Sequence, residues 1–336
     1  MRLRHTPDGV IAFDALRDRW VSLPAVVDAG GPDVADLSET VQDVLSVLAA
    51  GRPAWARLET LMAELSDQKA LAADPEAAGL PFAARSMRAF MVYESHAIAS
   101  ARVLVRRFFP RPAAVAVATF ERVTGKTFPA LKPSKGFYEA PPMYVGNHTA
   151  MLGDHEEMWW PSHTEYLDFE LELACVLGAP LSDATPEEAR AAIGGWFVLN
   201  DWSARDVQAK DYRENVFGPV VKSKTFANSM GADVITADEL PDWRTARGRV
   251  LVDGDVWCEG STEGAHWDIG DMLAYASQGE LLDVGDVFST GTMPGCCGLE
   301  LDRWILPGQT IELQIDGIGS VTNAVASSAT PLALAR

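Results

Sequence analysis

The chain has 336 residues, with 28 Lys plus Arg against 47 Asp plus Glu and a formal net charge of −19. That length gives ample core for one large domain or two unequal ones, and 48% hydrophobic with 22% charged residues is a globular composition, not a disordered one. The acidic balance argues against nucleic acid or anionic membrane as the main partner, since both reward Lys and Arg, and no uncharged apolar run reaches the roughly 20 residues of a spanning helix. Met1-Arg2-Leu3-Arg4-His5 precedes no apolar core, so no secretion signal is expected. Four Cys without paired spacing suit a reducing compartment, and the expectation is a soluble cytoplasmic protein.

In chain order, residues 11–13 and 20–23 read as short strands around a charged turn. Residues 36–65 read as helix broken near Gly51-Arg52-Pro53, with Val41, Val44, Leu45 and Leu48 at helical spacing behind a Ser38 cap. The Ala-, Asp-, Pro- and Gly-rich stretch 70–81 reads as a linker. It places a boundary near residue 78, between a small N-terminal α+β domain (1–78) and a larger domain (79–336). Residues 83–109 read mainly as helix, with a basic face at Arg102, Arg106 and Arg107. Beyond Tyr138 short strands dominate, at 167–177, 194–201, 248–257, 286–292 and 310–316, interrupted by helical patches at 185–193, 203–212 and 269–277. Irregular spacing and long connections predict a β-rich α+β fold with a mixed, largely antiparallel sheet, not a βαβ repeat.

Several familiar signals fail. Gly125-Lys126-Thr127 imitates the end of a phosphate-binding loop, but Phe120 stands where that loop needs Gly. There is no G-x-G-x-x-G and no G-x-S-x-G, and His155 with His163 lacks a zinc spacing. Cys296-Cys297 reads as packed thiols, because sequence neighbours rarely reach disulfide geometry without strain.

The informative segment is acidic. Seven carboxylates and no Lys or Arg occupy 154–172. Strand periodicity over 167–173 puts Leu167, Phe169, Leu171 and Leu173 on one face and Asp168, Glu170 and Glu172 on the other. One reading is a hydrated outer face. The other is a bound hard ion, because like charges side by side are destabilising and carboxylates without Cys or His select Mg²⁺, Mn²⁺ or Ca²⁺. Downstream, an apolar strand ends at Asn200-Asp201, and a helix beginning near Ser203 carries Arg205 and Gln208 on one face, suited to an anionic ligand.

These residues resemble the fumarylacetoacetate hydrolase superfamily, marked by an E-x-E strand and an N-D-x-S-A-R-D-x-Q segment. The resemblance runs from about 85 to 325 through Gly218-Pro219, Lys222-Ser223-Lys224-Thr225-Phe226, Ser289-Thr290-Gly291-Thr292, Cys297-Gly298-Leu299-Glu300-Leu301 and Ile315-Asp316-Gly317-Ile318-Gly319. It implies a rolled, mixed β-sheet catalytic domain behind a small N-terminal domain, a homodimer, and a place in aromatic compound catabolism. By position it implies Glu170, Glu172 and Asp201 as ligands of a divalent metal. It implies Arg205, Gln208, Tyr212 and Thr292 as substrate contacts, joined by Tyr144, and Lys224 as a further contact with a catalytic part. His96 aligns with the general base and Glu300 with the glutamate that orients it. Ala89 and Ala99 depart from positions where some members carry a carboxylate, and Asn228 replaces a common threonine.

A hard ion chelating a 1,3-dicarbonyl or 2-oxo acid polarises the carbonyl and stabilises an enolate, the leaving group when a carbon–carbon bond is hydrolysed. His96 would activate water, Glu300 would hold its tautomer, and Lys224 with Arg205 would anchor the substrate's anionic oxygen. The reaction expected first is hydrolysis of an acylpyruvate or fumarylacetoacetate-like acid. Decarboxylation, hydration or isomerisation of a 2-oxo acid, and a non-catalytic ligand-binding relative, stand as alternatives.

Overall fold

The computed structural model describes residues 1–65, 71–75 and 79–327. The boundary expected at residue 78 lies outside them, as does part of the expected linker. Strands β1 (Arg2–Thr6), β2 (Gly9–Asp14) and β3 (Arg19–Ser22) form an antiparallel meander. The Ser22 hydroxyl accepts the Ala25 amide at the start of α1 (Leu23–Gly30). Ser38 does not cap the next helix. It closes a 3₁₀ turn over Pro32–Leu37, while Asp43 accepts the Ser46 amide at the head of α2 (Val44–Leu65). The expected break in α2 falls at Gly51, whose φ of 72° suits glycine, two residues before Pro53.

The helix expected over 83–109 is a strand, β4 (Ser86–Phe90), followed by α3 (Glu94–Phe108). Met87 and Ala89 point into one core and Phe90 into another, so pairing and burial override the helical propensity of Met, Arg and Ala. An unforeseen helix, α4 (Arg111–Thr124), ends at Gly125 in the left-handed conformation, which gives the Gly125-Lys126-Thr127 stretch a capping role. Then come α5 (Gly136–Glu139), β5 (Met143–Val145), β6 (Met151–Leu152), β7 (Leu167–Asp168), β8 (Glu170–Leu177) and α6 (Pro186–Ala191). They are followed by β9 (Ile193–Asn200), β10 (Ser203–Ala204), α7 (Arg205–Glu214) and β11 (Asn228–Thr236). The single strand expected over 248–257 is a hairpin, β12 (Arg247–Val252) and β13 (Asp255–Ser261), turned by Asp253-Gly254 with both φ positive. The chain closes with α8 (Ile269–Ala276), β14 (Asp286–Cys297), α9 (Gly298–Leu301), β15 (Thr310–Ile315) and β16 (Gly319–Ala324).

Among the described residues, ten strands make one mixed sheet in the order β3-β2-β1-β11-β9-β8-β14-β4-β5, with β6 beside β11. Only the β14–β4 and β11–β6 pairs are parallel. A four-stranded antiparallel sheet, β13-β12-β15-β16, packs against it. The β-rich α+β expectation holds.

Strand β8 lies at the centre and is buried along its whole length. Leu171, Leu173, Cys175 and Leu177 enter a core shared with Val250, Val252, Ile311 and Leu313 of the second sheet. On the opposite face Ala174 and Val176 pack in a second core with Leu3, Val10, Val26 and Leu48 from the first 65 residues. Removing residues 1–75 is therefore expected to leave every proposed site carboxylate but uncover that apolar face, giving a less soluble fragment that binds a hydrophobic dye. Loss of any cooperative unfolding transition in the fragment would show a single indivisible core.

Candidate functional site

The alternation that places Ala174 and Val176 in the second core places Glu170 and Glu172 at its end, beside the last residue turn of β9. Asp201 follows directly on β9, and its amide donates to the Glu170 carbonyl at 3.2 Å. The Asn200 side-chain oxygen accepts the Glu170 amide at 3.0 Å. Opposite, β14 slips register around Thr292, which faces Glu172. Gly291 makes that slip possible: its φ is 86°, and a Cβ there would sit 2.3 Å from the Phe90 carbonyl oxygen.

The acidic face is thus not hydrated. Asp168, Glu170, Glu172 and Asp201 are each at most 4% exposed. Carboxylate oxygens of Glu170, Glu172 and Asp201 lie within 4.8 Å of one another. Lys224 bridges two of them, donating to Glu170 and, at 2.8 Å, to Asp201. Tyr144 donates to Asp201 at 2.6 Å, and Ser289 and Thr292 donate to Glu172.

The charges are unequal in consequence. Burial opposes ionisation of Glu170, but Lys224 and Arg205 beside it outweigh that and hold its carboxyl well below the usual range. Burial together with the charges of Asp201 and Glu170 pushes Glu172 well up. Burial raises Asp201 as well, against the pull of Lys224. Asp201 Oδ1 is buried without a hydrogen-bond partner. An all-oxygen donor set, an orphaned carboxylate oxygen and like charges crowded together fit a hard divalent cation, Mg²⁺ or Mn²⁺ by its chemistry and Ca²⁺ equally by its ligands.

Arg205 stands differently from a substrate contact. It is 1% exposed, and its guanidinium donates to Asp168 and to Glu170, each at 2.7 Å, and to the Gln208 side-chain oxygen at 2.9 Å. Asp168 also accepts the amides of Phe169, Gly298 and Leu299 at 2.8–2.9 Å. It therefore ties α9 to the acidic strand, a structural task that its place on the carboxylate face did not distinguish from ligation. Tyr212 lies apart from the cleft: it is 58% exposed and packs edge-on against Phe109.

His96, in the first turn of α3, meets Glu300 of α9 across 204 residues of sequence, Nδ1 to Oε1 at 2.6 Å. The Gly295 amide donates to both Glu300 oxygens at 3.1 Å, fixing the carboxylate. With Nδ1 so engaged, Nε2 is the ring nitrogen left for the cleft. One cleft of about 250 Å³ is lined by His96, the three carboxylates, Lys224, Gln208, Thr292 and Tyr144. Tyr93, which the sequence reading did not single out, also lines it, with its hydroxyl buried and unpartnered. Ala89 sits in the wall as well, whereas Asn228 is fully buried with neither side-chain amide atom partnered.

Residues 119–326 match the family model described as Fumarylacetoacetate (FAA) hydrolase C-terminal. A 4-hydroxyphenylacetate degradation bifunctional isomerase/decarboxylase of Escherichia coli is 26% identical over 192 residues, 57% of this chain and 43% of that protein. Oxaloacetate tautomerase of Bacillus subtilis is 28% identical over 185 residues, 55% of this chain and 58% of the relative. The match thus spans less than two thirds of either relative's length. A fumarylacetoacetate hydrolase from Exiguobacterium antarcticum shares the fold, with a TM-score of 0.64 over 97% of this chain and 99% of that one at 21% identity. No helix among the described residues is long and apolar enough to cross a membrane.

If the carboxylates form a cation site, Glu172→Gln should separate two effects. Removing a like charge is expected to keep the metal-free melting temperature at or above wild type. Divalent-cation affinity by calorimetry is expected to fall at least about 10- to 100-fold. Unchanged affinity in Glu172→Gln and in a Glu170→Ala, Glu172→Ala double variant would place the site elsewhere.

Proposed function

Since the chain belongs to the fumarylacetoacetate hydrolase family, we propose that it is a divalent-metal-dependent hydrolase that cleaves a carbon–carbon bond of a 1,3-dicarbonyl acid of the acylpyruvate or fumarylacetoacetate-like class. The observation that carries this reading is the buried His96–Glu300 pair opening on the same cleft as the three carboxylates. A hard divalent cation held by Glu170, Glu172 and Asp201 would supply Lewis-acid polarisation of the substrate's carbonyl oxygens.

The protein's own groups then divide the work. Glu300 accepts from Nδ1 and fixes the tautomer that leaves Nε2 basic toward the cleft. His96 takes a proton from water as the water oxygen bonds to the acyl carbonyl carbon. The carbon–carbon bond breaks with its electron pair going to the carbon between the carbonyls, and that carbon takes up a proton. The products are a carboxylic acid and an oxo acid, a 2-oxo acid when the substrate is an acylpyruvate, so one water is consumed. Lys224 Nζ, held by Glu170 and Asp201, faces the cleft as a fixed positive charge for developing oxyanion character. We place Gln208, Thr292 and Tyr144 as polar contacts that orient the acid. A cytoplasmic homodimer is part of the same proposal, supported by family membership and by free cysteines at 175, 258, 296 and 297.

Isomerisation or decarboxylation of a 2-oxo acid is the second reading, favoured by what the Escherichia coli and Bacillus subtilis relatives are named for. Those reactions need an electron sink more than a water-activating base. His96→Ala should therefore retain the cation yet lose on the order of 10²–10⁴ in kcat for acylpyruvate cleavage. Glu300→Gln should lose less, because it orients and does not transfer the proton. Near-wild-type turnover by His96→Ala on the best substrate would remove the hydrolytic mechanism and leave the second reading.

A further inference from the structure

The cleft's lining is of two kinds. One is polar: the acidic cluster, Lys224, Gln208 and His96, which Glu300 holds. The remaining wall is built from Phe90, Met91, Pro142, Met143, Pro219 and Val220, contributed by the end of β4, the start of β5 and the segment after α7. Lys224 is the one lysine or arginine lining the cleft among the described residues, and its ammonium is already engaged by Glu170 and Asp201. Other arginines of these elements are engaged away from the lining: Arg205 is enclosed by Asp168, Glu170 and Gln208, Arg88 donates to Glu280 and lies over the Phe288 ring, Arg213 donates to the Phe108 carbonyl, and Arg244 lies over the Trp243 ring and pairs with Asp268.

Resting on the reading above, we infer that the substrate is a monoacid: a 2-oxo or 2,4-dioxo carboxylate head at the acidic cluster and an uncharged, apolar acyl tail in the Phe90–Met143–Val220 wall. A second carboxylate at the tail would be desolvated against methionine, proline and phenylalanine with no cation among the described lining residues to receive it, a cost that uncharged tails escape. The same wall rewards each buried methylene. A tail hydroxyl or carbonyl could be met by Tyr93, which supplies no charge. Selectivity against dioic acids is thus a consequence of what the wall lacks.

The test uses full-length protein with Mg²⁺ and two acids sharing one head, pentanoylpyruvate and succinylpyruvate, followed by thermal shift, calorimetry and loss of the dioxo acid's ultraviolet absorbance. The expected result is at least a 10-fold lower Kd for pentanoylpyruvate. Affinity should rise roughly 3- to 4-fold per methylene from acetyl- to pentanoylpyruvate. Met143→Arg should narrow or invert the preference by giving succinylpyruvate a counter-charge. Equal or tighter binding of succinylpyruvate by wild type overturns the inference, as does absence of binding by either acid. Binding with the expected preference but no cleavage leaves the inference standing and removes the hydrolase reading, so the two failures are distinct.

Discussion

An imbalance of buried charge governs the centre of this protein. Asp168, Glu170, Glu172 and Asp201 are all removed from water, and Arg205 and Lys224 are the cations in direct contact with them. Desolvated carboxylates persist only when paired, hydrogen-bonded or protonated. Here Glu170 is the most strongly compensated, touching both cations, while Glu172 has two hydroxyl donors but no cation in contact. With all four carboxylates ionised two negative charges would be left over, which is what a divalent cation would neutralise; burial and the neighbouring carboxylates otherwise favour the protonated form of Glu172. The physical logic extends to the register slip in β14, which brings hydroxyls and not apolar side chains against Glu172.

The same network supplies the frame for the His96–Glu300 pair. Asp168 accepts the Gly298 and Leu299 amides, so α9 is anchored to the strand that carries the acidic cluster. At Gly298 a Cβ would lie 2.3 Å from Asp168 Oδ1, which explains why that position admits no side chain. Because Arg205 grips both Asp168 and Glu170, the His96–Glu300 pair and the carboxylates are positioned by one shared set of buried ion pairs. The reacting head of a bound acid would meet groups whose spacing is fixed before it arrives, which is the condition for electrostatic preorganisation.

Much of this was legible in the sequence because the signals are local. The alternation over 167–173 located the acidic strand, and Asn200-Asp201 marked the end of the adjacent one. Three features were not legible, each for a physical reason. The strand β4 was hidden by residues of good helical propensity whose conformation is decided by parallel pairing with β14, 200 residues away. The roles of Asp168 and Arg205 were hidden because periodicity gives a face and not a partner: a carboxylate on that face can ligate, or it can accept backbone amides. Tyr212 shares a helix with Arg205 and Gln208, but seven residues beyond Arg205 it reaches the surface beside Phe109.

The misread region is also the one that shapes the apolar half of the cleft. Phe90 and Met91 line it because β4 ends there, and Met143 and Tyr144 line it because β5 pairs back along β4 in register with Phe90 and Ala89. Chemistry and selectivity therefore come from different kinds of structure. The acidic cluster stands on two central, fully buried strands, β8 and β9, whose residue pattern announces itself. The wall comes from the sheet's other margin, β4 and β5, where short strands are held by pairing more than by pattern. Changes at Met91 and Met143 can alter what the cleft accepts without breaking a hydrogen bond or salt bridge to the acidic cluster, whereas Tyr144 of the same strand donates to Asp201. On the reading proposed here, β8 and β9 would hold the cation, the His96–Glu300 pair on α3 and α9 would decide the reaction, and β4 and β5 would shape the choice of acid.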